Sequence, residues 1–247
     1  MEALRRATTW PVEHTSLAVV SSAGITTSGD PERPYRLASL TKCFTAWAML
    51  VAAEEGTIDL DAALDPTTDR VPEGVTLRHL LAHAAGFGFD GDEPVSRPER
   101  NRIYSNPGIE RAADALSRAS GMPFGDYLRD AVIAPLGLTR TELRGSPAHG
   151  MWSTAADVAA FLAETLDPRL VTAATRDDAV RPQYPGLAGI VPGVGRFSPC
   201  PWGLGFELHG AKAPHWMGTA NSPAAYGHFG GAGTMMWADP DAVGSPV

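Results

Sequence analysis

Short segments near both ends of the chain are rich in apolar and β-branched residues and are bounded by turn residues, and this pattern predicts strands there. The N-terminal pair is separated by Ala23-Gly24, a dipeptide typical of a turn. The predicted strands comprise residues 16–21, 25–27, 202–209, 224–229 and 234–238. Strands at both ends indicate one layer to which the two ends of the chain contribute.

Helical spacing governs the middle of the chain. Apolar residues recur at i, i+3, i+4 and i+7 from Phe44 to Val51, so they form one face of a helix that begins at Ser39. Gly56 predicts the end of that helix. Further helices are predicted at residues 75–85, 109–119, 123–134 and 154–166.

Several residues give signals for helix ends. Thr76 is a plausible N-cap, and Pro123 suits a first helical position. Thr154 and Asp157 resemble a capping box in which Asp takes the place of Glu. Residues 86–102 and 181–201 are rich in Gly and Pro and are predicted to be irregular.

The order of elements, strands then helices then strands, predicts an α+β fold. We expect residues 1–61 and 194–247 to form a lobe built on a sheet. Residues 62–193 are expected to form a mainly helical lobe inserted between the two parts.

Composition narrows the classes of function. Hydrophobic residues make up 44% of the 247 positions, enough for one large core or two lobes. The formal net charge of -8 argues against a nucleic-acid partner, because phosphate binding needs clustered Lys and Arg. No stretch approaches the roughly 18 apolar residues of a membrane span, and no apolar region follows Arg5 and Arg6 as in a secretory signal. These features predict a cytoplasmic protein without a membrane partner.

The two cysteines, Cys43 and Cys200, are not arranged as a metal site. Cys43 lies within the apolar helical pattern, where a buried free thiol is the expected state. His79 and His83 are spaced i, i+4, but no Glu follows His79 as in HExxH and no third ligand is evident. We therefore predict packing or capping roles for both histidines, and neither a metal nor a cofactor.

Ser39 and Lys42 are the first candidates for chemistry, because a spacing of three puts them on one face of the predicted helix. Serine needs a base to become nucleophilic, and lysine serves only if its pKa falls well below ~10.4. Burial and the positive end of a helix act in that direction. Taken alone, this spacing is also compatible with an N-cap serine and a solvated lysine.

Two later segments could complete a site. Tyr104 and Asn106 precede a predicted helix, where a phenol could relay protons and an amide could hold a carbonyl or position the lysine. His228 lies near the end of the predicted strand 224–229, and Gly230 and Gly231 follow it before the next predicted strand, where glycines allow close approach of a ligand. Each segment alone also fits a structural turn.

In combination, the order SxxK, YxN and HxG resembles the class C β-lactamase-like family. That family includes D-alanyl-D-alanine carboxypeptidases and family VIII carboxylesterases. The surrounding sequence resembles it too, in residues 37–42, 55–60 and 77–86. The resemblance extends from about Ser16 to about Pro240.

The resemblance implies a fold, a reaction and a set of roles. The fold would be a β-lactamase/transpeptidase-like antiparallel sheet flanked by helices, with a helical domain and the active site between them. Ser39 would form an acyl-enzyme with an ester, amide or β-lactam carbonyl, and Lys42 and Tyr104 would move the protons. Asn106 would contact Lys42 or the substrate, and His228 would contact the substrate. Backbone N–H groups of Ser39 and Gly231 would bind the oxyanion. The partner would be a small molecule that carries a carbonyl.

Two departures from the family pattern bear on function, and the first of them leaves a second function open. The family continues with a further strand and a C-terminal helix, which this sequence lacks after Pro240. His228 stands where many members have the Lys of KTG, and a neutral histidine binds a carboxylate less well, which favours esters or small amides over penicillins. The alternative is a catalytically silent member that binds a ligand or a protein.

Overall fold

The computed structural model describes residues 9–242 of the chain. Residues 1–8, considered above for a secretory signal, lie outside this range. None of the helices in the described range has the length and apolar composition that a membrane crossing requires. The strands are β1 (Ser16–Ser21), β2 (Gly24–Gly29), β3 (Tyr35–Arg36), β4 (Glu142–Leu143), β5 (Met151–Ser153), β6 (Gly189–Val191), β7 (Gly195–Phe197), β8 (Glu207–Leu208), β9 (Tyr226–Gly230) and β10 (Thr234–Ala238).

The helices lie in the middle of the chain, as the periodicity predicts. They are α1 (Thr41–Glu54), α2 (Leu77–Leu81), α3 (Asn106–Ser120), α4 (Phe124–Leu128), α5 (Ala155–Leu166) and α6 (Ala173–Ala179). A 3-10 turn at Ala38–Leu40 precedes α1, and a π-helical turn at Arg129–Ile133 continues α4. Helices together with antiparallel sheets confirm the α+β prediction.

The strands pair antiparallel in four small sheets, with the orders β1-β2, β10-β9-β8, β3-β5-β4 and β6-β7. The single layer predicted from both chain ends is therefore two separate sheets in the described residues. Both of them contact α5, which touches β1, β2 and β10. Alternation along a strand identifies its buried face but not its hydrogen-bonded neighbour, which explains the error. The division into two lobes stays a prediction.

Helix α1 lies at the centre of the core. The sequence predicts a single apolar face, but the structure buries every residue from Thr41 to Ala52. The ring of Phe44 stacks on Phe161 at a centroid distance of 3.8 Å, and the ring of Trp47 meets Phe161 edge-on. A helix enclosed on all sides cannot shift without opening cavities, so the packing holds its first turn, which carries Lys42, in a fixed position.

Helix α2 is shorter than predicted, because it ends at Leu81 instead of residue 85. His83 has a φ of +55°, which a continuing right-handed helix does not allow. The helix α2 begins as predicted. The Thr76 side chain accepts a hydrogen bond from the His79 backbone N–H, and the His79 ring accepts one from the Thr76 backbone N–H. His79 is therefore a capping residue.

The predicted capping box at α5 is half formed. Thr154 caps the helix by accepting from the backbone N–H of Asp157 at 3.1 Å, as expected. The Asp157 carboxylate instead accepts from the Arg140 N–H and the Thr141 hydroxyl. It thus holds a neighbouring loop. Pro123 is the cap of α4 instead of its first helical residue.

Other elements also differ from the prediction: β3, β4 and β5 lie in segments that were not predicted to form strands. Helix α6 was not predicted, and the β6–β7 hairpin lies within the segment predicted to be irregular. The predicted strand 202–209 contracts to β8, because Gly205 adopts a φ of +79° and approaches α1 closely. A Cβ on Gly205 would lie 2.3 Å from the Cβ of Ala46, so only glycine fits there. Cys43 and Cys200 are buried free thiols, as predicted for Cys43.

Candidate active site

Ser39 lies in the 3-10 turn that leads into α1, and it is the partly accessible residue of that turn. The turn is held from two sides: the Leu37 N–H donates to the carbonyl of Met151 at 2.8 Å, and the Thr234 hydroxyl donates to the carbonyl of Leu37 at 2.8 Å. Ala38 has a φ of +48°, an unusual value for a residue with a Cβ. Strands β5 and β10 thus fix the hydroxyl at the start of the buried helix.

Lys42 is fully buried, and its amine faces Ser39. The Nζ atom lies 3.2 Å from the Ser39 Oγ, 2.7 Å from the Asn106 Oδ1 and 2.9 Å from the carbonyl oxygen of Ala148. The predicted pairing of Ser39 with Lys42 on one face is therefore present. The alternative of a solvated lysine is wrong.

Burial lowers the pKa of Lys42 to about 7. Cys43, Glu110 and Asp90 act in the opposite direction, but desolvation is the larger effect. A large fraction of the amine is therefore neutral at pH 7. A neutral amine has two N–H groups and one lone pair, and the oxygens of Asn106 and Ala148 match the two N–H groups. The lone pair is left for the Ser39 hydroxyl.

Asn106 is the first residue of α3, and a second residue fixes the orientation of its amide. Its Nδ2 donates to the Asp90 carboxylate at 3.0 Å, which directs the Oδ1 atom towards Lys42. The Ser105 hydroxyl caps the same helix by accepting from the Gly108 N–H at 3.0 Å. Sequence reasoning identified Asn106 but missed Asp90, which lies in the irregular loop 86–102 where periodicity carries no signal.

Tyr104 lies over the amine of Lys42, with its ring centroid 4.7 Å from Nζ. Burial raises the pKa of Tyr104, and the nearby Ser39 hydroxyl only partly opposes that rise. The phenol is therefore protonated at neutral pH. Its oxygen is buried and forms no hydrogen bond of regular geometry with residues 9–242.

His228 lies on β9, opposite Met236 on β10, and is buried beside Tyr104 at a ring distance of 5.6 Å. Burial and the nearby Lys42 lower the pKa of His228 to about 4. The histidine is therefore neutral at pH 7 and adds no cation to the site. Its Nδ1 lies 2.7 Å from the carbonyl of Phe229, which places the proton on Nδ1 and leaves Nε2 as an acceptor.

Gly230 and Gly231 lie where the end of β9 passes the 3-10 turn that carries Ser39. A Cβ on Gly230 would lie 2.2 Å from the carbonyl oxygen of Leu37, so this close approach requires glycine. A Cβ on Gly231 would meet nothing within 4 Å, so this residue borders open space. The two glycines therefore bring a strand end beside Ser39 and leave room for a ligand.

His83 belongs to the same cluster and has a packing role, as predicted. Its Nδ1 accepts from the backbone N–H of Ser105 at 3.2 Å, and its ring lies 4.7 Å from that of Tyr104. Burial keeps the pKa of His83 well below its usual value, so it is neutral. It thereby supports the segment that carries both Tyr104 and Asn106.

All seven residues singled out from the sequence meet in one region of the described structure. They are Ser39, Lys42, Tyr104, Asn106, His228, Gly230 and Gly231. A sequence profile of the Beta-lactamase family matches residues 16–243 of this chain. The chain belongs to the Beta-lactamase family.

A crystal structure from the same family resembles the chain over almost its whole length. It is a beta-lactamase from Mycobacterium bovis, 44% identical, with a TM-score of 0.92 over 97% of this chain and 88% of that one. This likeness shows the β-lactamase/transpeptidase-like fold.

Two curated relatives of this chain have names that state an activity. The D-alanyl-D-alanine-carboxypeptidase/endopeptidase AmpH of Escherichia coli strain K12 is 27% identical over 168 residues, which cover 52% of this chain and 43% of AmpH. Monacolin J acid methylbutanoyltransferase of Aspergillus terreus is 30% identical over 154 residues, 44% of this chain and 37% of the transferase. The chain thus aligns with less than half of either relative.

Proposed function

We propose that this protein is a serine hydrolase that acts through an acyl-enzyme on an ester or small amide carbonyl. The observation that carries the proposal is the Ser39 hydroxyl 3.2 Å from a buried lysine amine whose pKa is about 7. A serine beside a neutral amine is an activated nucleophile. The named activities of the two curated relatives, peptide cleavage and acyl transfer, both accord with an acyl group held on a serine.

In the first half of the reaction, the Ser39 oxygen attacks the substrate carbonyl carbon and its proton moves to Lys42. The new C–O bond produces an oxyanion, for which the backbone N–H groups of Ser39 and Gly231 are the proposed donors. When the bond to the leaving group breaks, a proton must reach that group. The neutral Tyr104 hydroxyl beside Ser39 can donate it and take the proton from Lys42 in turn.

In the second half, water replaces the leaving group. Lys42, again neutral, accepts the proton of the attacking water, and the acid product leaves as Ser39 regains its hydrogen. The Asn106 and Ala148 oxygens keep the amine in place through both halves. Asp90 is a positioning residue, since it acts through Asn106.

The charge of the site favours uncharged groups around the scissile bond. A penicillin or a D-alanyl peptide carries a carboxylate, which a fixed cation would bind. His228 occupies the expected position for that cation but is neutral and buried. We therefore propose esters or small amides ahead of β-lactams, with His228 as a hydrogen-bonding residue.

The pH dependence of hydrolysis tests the role of Lys42. We expect kcat/KM for p-nitrophenyl butyrate to fall about tenfold per pH unit below about pH 7 and to level off above it, because only the neutral amine is a base. The measurement is initial rates from about pH 5.5 to 9 against enzyme-free blanks.

The variant His228→Gln is the control for that profile. Because the pKa of His228 is about 4, its removal should leave the midpoint of the profile unchanged even if the rate falls. A flat profile, or a midpoint that disappears with His228, would contradict the assignment of the base to Lys42. Absence of any turnover together with ligand binding would support the silent alternative.

A further inference from the structure

A cavity adjoins the candidate active site at Tyr104 and is not used in the mechanism above. It has a volume of about 340 Å³, within the usual range for small-molecule sites. Its lining includes Phe89, Arg102, Tyr104, Gly189, Ile190 and Arg196. Most of this wall is apolar, and no carboxylate is among the described residues that form it.

Two large apolar side chains in the wall face solvent. Phe89 is 52% exposed and Ile190 is 50% exposed, although both lie beside buried parts of the protein. The ring of Phe89 stacks on that of Tyr104 at 5.8 Å, so an apolar surface begins directly at the candidate site. Burying both side chains against a ligand would be favourable.

The hairpin that closes the cavity is held firmly against the segment that leads to Tyr104. The Arg102 N–H donates to the carbonyl of Ala188 at 2.8 Å. A Cβ on Gly189 would lie 2.7 Å from the carbonyl oxygen of Arg102, so the two backbones are in close contact. Because Ile190 and Arg196 are directly paired across the hairpin, their side chains lie on the same face.

The two arginines in the wall differ in their bonding. The guanidinium of Arg102 is buried and donates to backbone carbonyls, among them those of Cys200 and Gln183. The guanidinium of Arg196 is exposed and has neither an ion pair nor a hydrogen bond with residues 9–242. Arg102 therefore has a structural role, and Arg196 is free to bind an anion.

From this arrangement we propose that the cavity binds the acyl group of the substrate, an apolar chain that ends in a carboxylate held by Arg196. The inference rests on the proposed function. A leaving group must escape to solvent, whereas the acyl group stays attached to Ser39 until water attacks, so a walled cavity suits the acyl group. Arginine matches a carboxylate with paired hydrogen bonds, which fixes the end of the chain.

The kinetic test compares two esters of equal shape, mono(p-nitrophenyl) glutarate and p-nitrophenyl 5-methylhexanoate. The first ends in a carboxylate and the second in an uncharged isopropyl group. We expect the wild-type ratio of kcat/KM, glutarate ester over neutral ester, to fall about tenfold or more in Arg196→Gln and to recover in part in Arg196→Lys. Arg129→Gln, an exposed arginine outside the cavity, is the matched control for the loss of one charge.

A binding test does not depend on turnover. In the Ser39→Ala background, titration with glutaric acid monoanilide and its uncharged 5-methylhexanoic anilide counterpart should show tighter binding of the anion. Arg196→Gln should abolish this preference and Arg129→Gln should not. If the wild-type protein hydrolyses neither ester but the Ser39→Ala background shows this preference, the result contradicts the proposed function and leaves the binding site at Arg196 intact. A preference that is absent, or that does not depend on Arg196, would overturn the inference.

Discussion

Replacing Ser39 with alanine is expected to lower kcat/KM for an activated ester by about ten-thousand-fold or more, to near the enzyme-free rate. In the proposed mechanism this hydroxyl forms the covalent intermediate. The other oxygens hydrogen-bonded to the Lys42 amine in the described residues belong to the Asn106 amide and the Ala148 carbonyl, and neither is a nucleophile. The measurement is hydrolysis of p-nitrophenyl butyrate at high enzyme concentration.

Ser117→Ala is the matched control for this variant. Ser117 lies on α3, and its hydroxyl donates to the Ala113 carbonyl at 3.0 Å. Its loss should leave the rate within about twofold of wild type, because a hydrogen bond of this kind contributes little to stability. Retention of more than a few per cent of activity in Ser39→Ala would refute the covalent role.

Replacing Lys42 with methionine has the second largest expected effect, a loss of about a thousandfold or more in kcat. Methionine fills similar space but cannot accept a proton. Lys42→Arg should be equally inactive, because arginine stays protonated. Activity that survived in either variant would show that another group takes the Ser39 proton.

Lys42→Met also tests how the buried amine affects the free energy of unfolding. The pKa of Lys42 is about 7 in the folded protein and ~10.4 when unfolded, so the unfolded chain binds the extra proton between these values. The free energy of unfolding should therefore rise with pH across this interval, by a few kcal/mol in total. Below about pH 7 the full penalty of the buried amine applies, and Lys42→Met removes it.

Urea unfolding of wild type and Lys42→Met at about pH 6.5 and pH 9.5 measures this contribution. The variant should gain stability relative to wild type at the lower pH, and the gain should shrink at the higher pH. An equal difference at both values would show that Lys42 has an ordinary pKa in the folded protein.

The sequence predicted most helices because their apolar residues repeat over many positions. It predicted the caps at Thr76 and Thr154 because those depend on residues three positions apart. It failed where long-range contacts decide the backbone. The positive φ of Gly205 follows from packing against Ala46, and no neighbouring residue signals it.

In the candidate site, too, residues with a local sequence signal were predicted and groups placed by long-range contacts were not. Ser39, Lys42, Tyr104 and His228 were recognisable because their motifs occur in a characteristic order. Asp90 and the Ala148 carbonyl were not, since one lies in an irregular loop and the other is a backbone atom without a side-chain signal. The lowered pKa of His228 likewise depends on burial, which only the fold determines.

Intact-mass spectrometry after acid quenching tests the central claim most directly. Wild-type protein mixed with excess p-nitrophenyl butyrate should gain the mass of one butyryl group, and peptide mapping should place it on Ser39. Ser39→Ala should gain none, and Lys42→Met should acylate far more slowly than wild type. An adduct that persists in Ser39→Ala, or that maps to another residue, would contradict the account.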